Sequence, residues 1–291
     1  MSRFDSRQVR RAFSRAAHDY AATAVLQAEV RSRLLEQLDY FEQTPSRVLD
    51  LGCGPGPASK LLRQRWPKAE VIALDLAQPM LVEAKRQFSW RRRFDRVCAD
   101  VRALPLAERS VDLIFSNLCV QWVDDLPALF NEWRRVLRPG GMLLLSTFTQ
   151  GTLQELREAF AAADAERPHV SPFAAIQTVG DALLGAGFRD PVLDSDRFTL
   201  TYTDVRDLMH ELRAIGAANA DAGRRRSLTG KQRMQRVFAA YEAFRQDGRL
   251  PASYEVAYAH AWGPQPGQPR RQGGAEIAAF PVEGLKIRRR R

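Results

Sequence analysis

The chain has 291 residues, 45% of them hydrophobic and 27% charged, and its 44 Lys and Arg against 34 Asp and Glu give a net charge of +10. This composition is typical of globular proteins, and it excludes collagen-like and membrane-embedded classes because the longest apolar runs fall far short of the ~18 residues that a membrane span requires. From Gln268 onward seven basic residues accompany two acidic ones, so half of the excess charge lies in the tail and nucleic acid is not expected as a partner.

The first residues mix acidic and basic side chains, and no continuous apolar stretch typical of a secretory signal precedes Gln27. The cysteines, Cys53, Cys98 and Cys119, are odd in number and widely spaced, which favours neither a disulfide framework nor a zinc knuckle. We therefore expect a cytoplasmic protein with reduced thiols.

Residues 1–45 are predicted to form a helical cover. Their apolar side chains recur every three or four residues, which is the period of an amphipathic helix. The pattern predicts two helices and consists of Val9, Phe13, Ala16, Tyr20, Leu26, Val30, Leu34 and Leu38.

Residues 46–202 are predicted to form an α/β core. Short apolar runs alternate with helical stretches, which indicates βαβ units and a parallel sheet covered by helices on both faces. The runs are residues 48–51, 71–74, 96–98, 111–116 and 142–148. Pro79 and Pro127 fit the first turns of two of the intervening helices.

The second half of the chain has a different order. Thr152 and Glu155 have the spacing of a capping box, which predicts a helix to about Ala163, and a later helix ends at Gly185 and Gly187. A strand is predicted at 191–202. Residues 203–250 then predict a helical, Arg-rich insertion placed to act as a lid, residues 251–264 contain the last core strand, and residues 265–291 predict a basic, disordered tail.

The first strand of the core ends in a glycine-rich turn, Gly-Cys-Gly-Pro-Gly at residues 52–56. Glycines at this place let the backbone turn sharply and let a ligand approach closely. A dinucleotide fingerprint would need a small residue at position 57, where Pro57 stands. Alternatively, the glycines serve only the turn.

Acidic residues follow the next two strands. Asp75 comes nineteen residues after Gly56, where a carboxylate can accept hydrogen bonds from both hydroxyls of a ribose. Asp100 follows the third strand and suits the amino group of an adenine. Each of them could instead cap a helix, and Asp75 alone also fits a dinucleotide.

Together these motifs resemble those of the class I S-adenosylmethionine-dependent methyltransferases. The resemblance is carried by residues 48–56, Asp75, Asp100 and the Leu-Arg-Pro-Gly-Gly turn at 137–141. It implies a Rossmann-like α/β fold with a seven-stranded, mostly parallel sheet, helices on both faces, and S-adenosyl-L-methionine as the cofactor. No Cys, His or Asp cluster has the spacing of metal ligands, so no metal is expected.

The segment after the fourth strand, residues 116–122, bears on the nucleophile. Enzymes that methylate the exocyclic amines of bases resemble one another in an Asn/Asp-Pro-Pro-aromatic motif, whereas this segment reads Ser-Asn-Leu-Cys-Val-Gln-Trp. It also contains no His or Lys as a general base. A carboxylate substrate is already anionic at neutral pH and needs only desolvation and alignment against the sulfonium methyl, so we predict no catalytic residue.

The resemblance narrows to the malonyl-[acyl-carrier-protein] O-methyltransferases of biotin synthesis and covers most of the chain up to Pro264. Its segments are short but occur in the family's order, namely residues 9–17 with Tyr20, 26–27, 116–122, 147–149, 151–156, 212–217, 228–230 and 261–264. The resemblance implies methylation of the free carboxyl of a malonyl thioester and an acidic partner, malonyl-acyl-carrier protein. The tail departs from the family's pattern by its length.

The resemblance also implies roles for individual residues. The cofactor-binding set is Tyr20, Gln27, Asp50, Gly52, Cys53, Gly54, Gly56, Asp75, Leu76, Met80, Asp100, Val101, Asn117 and Leu118. Gln121, Trp122 and Arg213 form the substrate set, in which Arg213 either pairs with the malonyl carboxylate or belongs to a solvated helix face. Candidates for contact with the carrier protein are Arg224, Arg225, Arg226, Lys231, Arg233 and Arg236.

Other functions stay open on the sequence. A methyltransferase acting on another small acid or on a quinone precursor shares every core motif, and only the lid and the opening helix argue against it. A non-catalytic nucleic-acid-binding protein is suggested by net charge alone. Either carrier protein or coenzyme A fits as the bearer of the malonyl group.

Overall fold

The computed structural model describes residues 3–40, 42–87, 93–163, 168–224, 230–265, 270–272 and 275–277. Arg225, Arg226 and most of the predicted tail lie outside the described residues.

The N-terminal cover consists of α1 (Ser6–Ala16), α2 (Tyr20–Thr23) and α3 (Val25–Glu36), followed by a 3-10 turn, Gln37–Tyr40. The side chain of Asp5 caps α1 by accepting from the backbone N–H groups of Arg7 and Gln8. The prediction of two helices is wrong, because the chain turns at residues 17–19 and forms an additional short helix. Periodicity cannot reveal this break, since the apolar spacing continues across it.

Seven strands form one twisted sheet in the order β3-β2-β1-β4-β5-β7-β6. β7 runs antiparallel to both of its neighbours and the other pairs are parallel, which confirms the mostly parallel sheet. The strands are β1 (Arg47–Leu51), β2 (Glu70–Asp75), β3 (Asp95–Cys98), β4 (Val111–Asn117), β5 (Leu137–Phe148), β6 (Arg189–Tyr202) and β7 (Leu250–Trp262).

Helices cover both faces of the sheet, as predicted. Alternate residues of β1 point to opposite faces, so Val48 belongs to one buried cluster and Leu49 and Leu51 to the other. The first cluster includes α3, α4 (Pro57–Arg65), α5 (Gln78–Ala84) and α7 (Gln154–Ala163), and the second includes α6 (Leu126–Val136) and α8 (Ile176–Gly185). Pro79 and Pro127 lie in first helical turns, which confirms that prediction.

The predicted capping box at the start of α7 is wrong. Thr152 Oγ1 donates to the carbonyl of Glu255 and accepts from its N–H, both at 3.0 Å. The buried carboxylate of Glu155 accepts from the backbone N–H and the hydroxyl of Ser253, at 3.0 and 2.5 Å. Both side chains therefore tie α7 to β7, because tertiary partners take the groups that the sequence assigns to a local cap.

The strand β5 begins five residues earlier than the run at 142–148 predicts. Leu137 pairs with Val111, and the register shifts between Val111 and Leu113. Gly140, at φ +70°, donates its N–H to Gly263 at 2.9 Å. The Leu-Arg-Pro-Gly-Gly segment is thus a distorted strand start rather than a turn, because pairing with β4 and the chain near Gly263 extends the sheet.

The helical insertion between β6 and β7 packs on the sheet. Its described helices are α9 (Val205–Ala214) and α10 (Lys231–Glu242). Val205, Leu208, Val237 and Tyr241 are buried in the same cluster as α3 and α7. The insertion therefore covers one end of that face.

Six described residues of the tail form two short strands, β8 (Arg270–Gln272) and β9 (Ala275–Ile277), which pair antiparallel. The expectation of a disordered tail is wrong for these residues. Backbone pairing can form a hairpin without the apolar pattern from which strands are predicted.

Candidate active site

A cleft opens where β1 lies between β2 and β4, the point at which the strand order reverses. Ligands of open parallel sheets bind at the carboxyl ends of the strands at such points. The cleft encloses about 730 Å³ including space open to solvent, a size typical of small-molecule sites. Ten residues of the predicted cofactor-binding set line it: Tyr20, Gly52, Gly54, Asp75, Leu76, Met80, Asp100, Val101, Asn117 and Leu118.

The glycines after β1 meet two different demands. Gly52 and Gly56 have positive φ, and a Cβ would lie 2.6 Å from Cys119 Sγ at the first and 2.9 Å from Ala84 Cβ at the second. Packing alone requires both glycines, and Gly56 is not part of the described cleft wall, so its predicted contact with a cofactor is not supported. Gly54 has only a Tyr20 carbon within 4 Å, at 3.9 Å, so a ligand can approach it closely.

Asp75 lies at the end of β2 with its carboxylate in the cleft. Its oxygens accept from the backbone N–H groups of Gly54 at 2.9 Å and Ala77 at 2.8 Å. Burial raises the pKa of Asp75 to about 6, although these hydrogen bonds favour the ionised form. The helix-cap alternative does not hold for α5, because the residue at its cap is Ala77 and no side chain caps it.

Asp100 is paired with an arginine that the sequence reasoning missed. Arg102 donates from Nε at 2.9 Å and from its backbone N–H at 3.0 Å to one oxygen, and from its terminal nitrogen at 2.5 Å to the other. Burial alone would raise the pKa of Asp100, but the hydrogen bonds from Arg102 lower it below its usual value. No helix starts in the turn that follows, so Asp100 does not act as a helix cap.

The floor of the cleft continues from β4. Leu118 has a left-handed backbone, with φ +51°, and its N–H donates to the carbonyl and hydroxyl of Ser146, both at 3.1 Å. Asn117 donates from Nδ2 to the carbonyl of Gln27 at 3.1 Å and so joins β4 to α3. A non-glycine residue held in this conformation marks a site that the surrounding structure fixes.

A side pocket of about 620 Å³ adjoins the glycine turn, and Gln27, Asp50 and Cys53 from the predicted set line it. Burial raises the pKa of Asp50 to about 7, opposed by a hydrogen bond from the Ser59 hydroxyl. Arg31 on α3 also lines this pocket, and its buried Nε has no hydrogen-bond partner among the described residues. Burial lowers the pKa of Arg31, partly offset by the charge of Asp50. The sequence reasoning missed Arg31, since an arginine in an amphipathic helix is usually solvated.

A second cavity, of about 810 Å³, lies beside the cleft and shares Phe13, Tyr20, Leu118 and Trp122 with it. Its walls are mostly apolar and come from α1, β5, α7, α9 and the turn before α8; they include Phe148, Leu156, Phe173, Leu212 and Ile215. The predicted substrate residues Gln121 and Trp122 line it. None of its described lining residues is Asp, Glu, Lys or Arg.

The structure does not bring Arg213 to this cavity. Leu212 and Ile215 of the same segment line the cavity, whereas Arg213 is exposed. Among the residues suggested for carrier contact, Arg224 pairs with Asp5 at 3.4 Å. The helical period turns the Arg213 side chain away from the cavity, so its predicted pairing with a substrate carboxylate has no support from this geometry.

Across the described part of the chain, no group of three or more His, Cys, Asp and Glu is arranged to hold a metal ion. No helix among the described residues is both long and apolar enough to cross a membrane.

Comparison with known proteins identifies the family. Residues 49–145 match the family described as "Methyltransferase domain". The malonyl-[acyl-carrier protein] O-methyltransferase of Xylella fastidiosa is 53% identical over 289 residues, which cover 99% of this chain and 98% of that protein. The protein of the same name from Gallionella capsiferriformans is 48% identical over 279 residues, or 94% of this chain and 96% of that protein.

A solved structure confirms the fold. A Bacillus halodurans protein described as a methyltransferase matches with a TM-score of 0.58 at 16% identity, covering 80% of this chain and 100% of that chain. The sheet order, the likeness to this structure and the sequence identity to two relatives over nearly the whole chain all indicate the same family of folds. The chain belongs to the malonyl-[acyl-carrier protein] O-methyltransferase family and is a class I, S-adenosylmethionine-dependent methyltransferase.

Proposed function

We propose that the enzyme methylates the free carboxyl of a malonyl thioester borne by acyl-carrier protein, and that the resulting ester enters biotin synthesis. The supporting observation is the pair of adjoining cavities that share Tyr20 and Leu118. One cavity offers carboxylates at strand ends, and the other is mostly apolar, with no Asp, Glu, Lys or Arg among its described lining residues. Methyl donor and acceptor can therefore meet at a common wall.

The cleft fits the adenosyl part of S-adenosylmethionine, which when bound supplies a methyl group on a cationic sulfur. We assign Asp75 to the ribose, because an ionised carboxylate has about four acceptor sites and backbone donors use two. Asp100, held in place by Arg102, is assigned to the adenine amine. The apolar side chains of Leu76, Met80 and Val101 would pack on the base.

The side pocket fits the amino-acid end of the same ligand. Arg31 has a buried guanidinium nitrogen without a described partner, which is costly unless an acceptor arrives. We assign Arg31 to the α-carboxylate and the ionised Asp50 to the α-ammonium group. Both residues line this pocket, so a zwitterion bound there can satisfy both.

The second cavity fits a carboxylate nucleophile. Such a group carries no proton to be removed, so it needs neither the Asp, Glu and Lys that the described lining residues lack nor the one histidine, His169, that lines the cavity. A salt bridge would reduce its nucleophilicity, whereas neutral donors can orient it. Gln121, whose Nε2 donates to the Leu118 carbonyl at 2.7 Å, is fixed at the wall shared with the cleft. Phe148 and Phe173 exclude water.

The proposal also places the enzyme in the cytoplasm. Cys53, Cys98 and Cys119 are all free thiols in the structure. Free thiols are usual in that reducing compartment.

The test is mass spectrometry of malonyl-acyl-carrier protein after incubation with S-adenosylmethionine. We expect a single added methyl group, removed when the thioester is cleaved. Acetyl-carrier protein, which lacks the free carboxyl, is the matched control and should gain none. Methylation of the acetyl form would contradict the proposal. So would methylation of free malonate by an enzyme that methylates neither malonyl-carrier protein nor malonyl-coenzyme A.

A further inference from the structure

The helix α1 has two chemically distinct faces. Val9 and Ala16 are buried and Phe13 packs against them, so this side faces the two cavities. The opposite side consists of four exposed arginines, Arg7, Arg10, Arg11 and Arg15, which we call the α1 arginine face. The helix contains no acidic residue.

The guanidinium groups of the α1 arginine face form no ion pair with any described residue. Elsewhere on the surface arginines commonly find carboxylates, as in the pairs Arg33–Asp196 at 2.7 Å and Arg245–Glu242 at 2.7 Å. Four like charges on one short helix repel one another by a few tenths of a kcal/mol per neighbouring pair. An acidic partner would relieve that repulsion.

The position of the α1 arginine face also matters. Phe13 lines both cavities. A Cβ at Gly216 would lie 3.0 Å from Phe13 and 3.3 Å from Ala16, so the end of α9 packs directly on α1. The neighbouring Ile215 lines the substrate cavity, while Arg213 points to solvent. The contact between α1 and α9 is therefore apolar on the side of the cavities, and the exposed side of α1 is cationic.

We propose that the α1 arginine face is the docking site for the acidic carrier protein. This inference rests on the proposed function. A carrier protein delivers its acyl group on a flexible arm, so its body must stop near a cavity that the arm can enter. Helix α1 meets this requirement because its buried side lines the substrate cavity and its exposed side is the α1 arginine face, within a helix that contains no acidic residue. Charges at such a rim act mainly on the rate of encounter, and salt weakens their effect.

The test compares two double variants with the same change in net charge. Arg10→Glu/Arg11→Glu reverses the centre of the α1 arginine face, and Lys60→Glu/Lys68→Glu reverses exposed lysines at α4 and the loop that follows it. We expect the first variant to lower kcat/KM for malonyl-carrier protein by about tenfold or more at low salt, with a smaller loss at high salt. Its kcat/KM for malonyl-pantetheine, which has no protein surface, should change by less than about twofold.

Several results would overturn the inference. These are equal losses of kcat/KM for malonyl-carrier protein in the two double variants, or no loss in the α1 variant. A parallel loss of kcat/KM for malonyl-pantetheine in the α1 variant would also overturn it, because that would mean a damaged active site. The inference also fails if an oligonucleotide binds the wild type and the α1 variant loses this binding while it keeps its activity on malonyl-carrier protein. If the wild type methylates neither thioester, the proposed function itself is wrong. If it methylates malonyl-carrier protein and the α1 variant does so equally well, only the docking site is wrong.

Discussion

Replacing Asp75 by alanine tests the assignment of the cleft most directly. The carboxylate accepts from Gly54 and Ala77 at 2.9 and 2.8 Å, and the proposed complex adds hydrogen bonds from the ribose hydroxyls. Hydrogen bonds to a charged acceptor contribute about 1.5 to 3 kcal/mol, so Asp75→Ala should weaken S-adenosylmethionine binding about 10- to 150-fold. Calorimetric titration measures the change, and S-adenosylhomocysteine serves as a second, unreactive ligand.

The variant should stay folded. Removing a carboxylate whose pKa burial has raised to about 6 relieves a desolvation cost, which offsets the two backbone N–H groups left without their acceptor. Asp95→Ala, which removes an exposed carboxylate from β3, is the matched control and should bind normally. Unchanged affinity in a folded Asp75→Ala protein would refute the ribose assignment.

Arg31→Met should weaken binding of S-adenosylmethionine by about tenfold or more, but it should leave binding of 5′-methylthioadenosine, which lacks the amino-acid group, almost unaffected. The control variant Arg33→Met, on the same helix, should change the affinity for neither ligand. Equal losses of affinity for both ligands in Arg31→Met would refute the carboxylate assignment. Affinity should fall as pH drops from about 7 to below about 6, since binding favours the ionised forms of Asp50 and Asp75, and protonation through their raised pKa values removes both anions. A flat calorimetric profile across that range would contradict this linkage. Methyl transfer should survive EDTA, and loss of activity that magnesium restores would indicate a metal-dependent enzyme.

The sequence predicts the central strands well because their patterns have one dominant cause. β1, β2 and β4 are buried on both faces, so their apolar runs coincide with the strands. The start of β5 was missed because Arg138, Gly140 and Gly141 carry no such pattern, and only pairing with β4 and Gly263 makes them strand. A local pattern cannot report a partner that lies far along the chain.

The residues of the site likewise differ in whether a local sequence signal predicts them. Asp75 and Gly54 are predictable because strand ends and glycine turns are local signals, and the structure brings both to the cleft. Arg102 could have been suspected from its spacing to Asp100, since a residue two positions on can donate back to a carboxylate. Arg31 could not, because only the burial of α3 against the glycine turn separates it from exposed arginines of the same helix such as Arg33, which pairs with Glu29.

The position of Arg213 in α9 shows how helical period limits which side chains of a helix can reach a cavity. In α9 the buried residues Val205 and Leu208 lead at three- and four-residue steps to Leu212, and Ile215 continues the stripe into the substrate cavity. A residue directly after Leu212 lies about 100° around the helix from it and therefore outside that stripe. A pairing of Arg213 with the malonyl carboxylate has charge complementarity in its favour, but the helical period opposes it and favours the alternative of a solvated helix face. Taken together, the constraint and the complementarity place the arginine outside the cavity, where an acidic protein rather than the malonyl group can meet it.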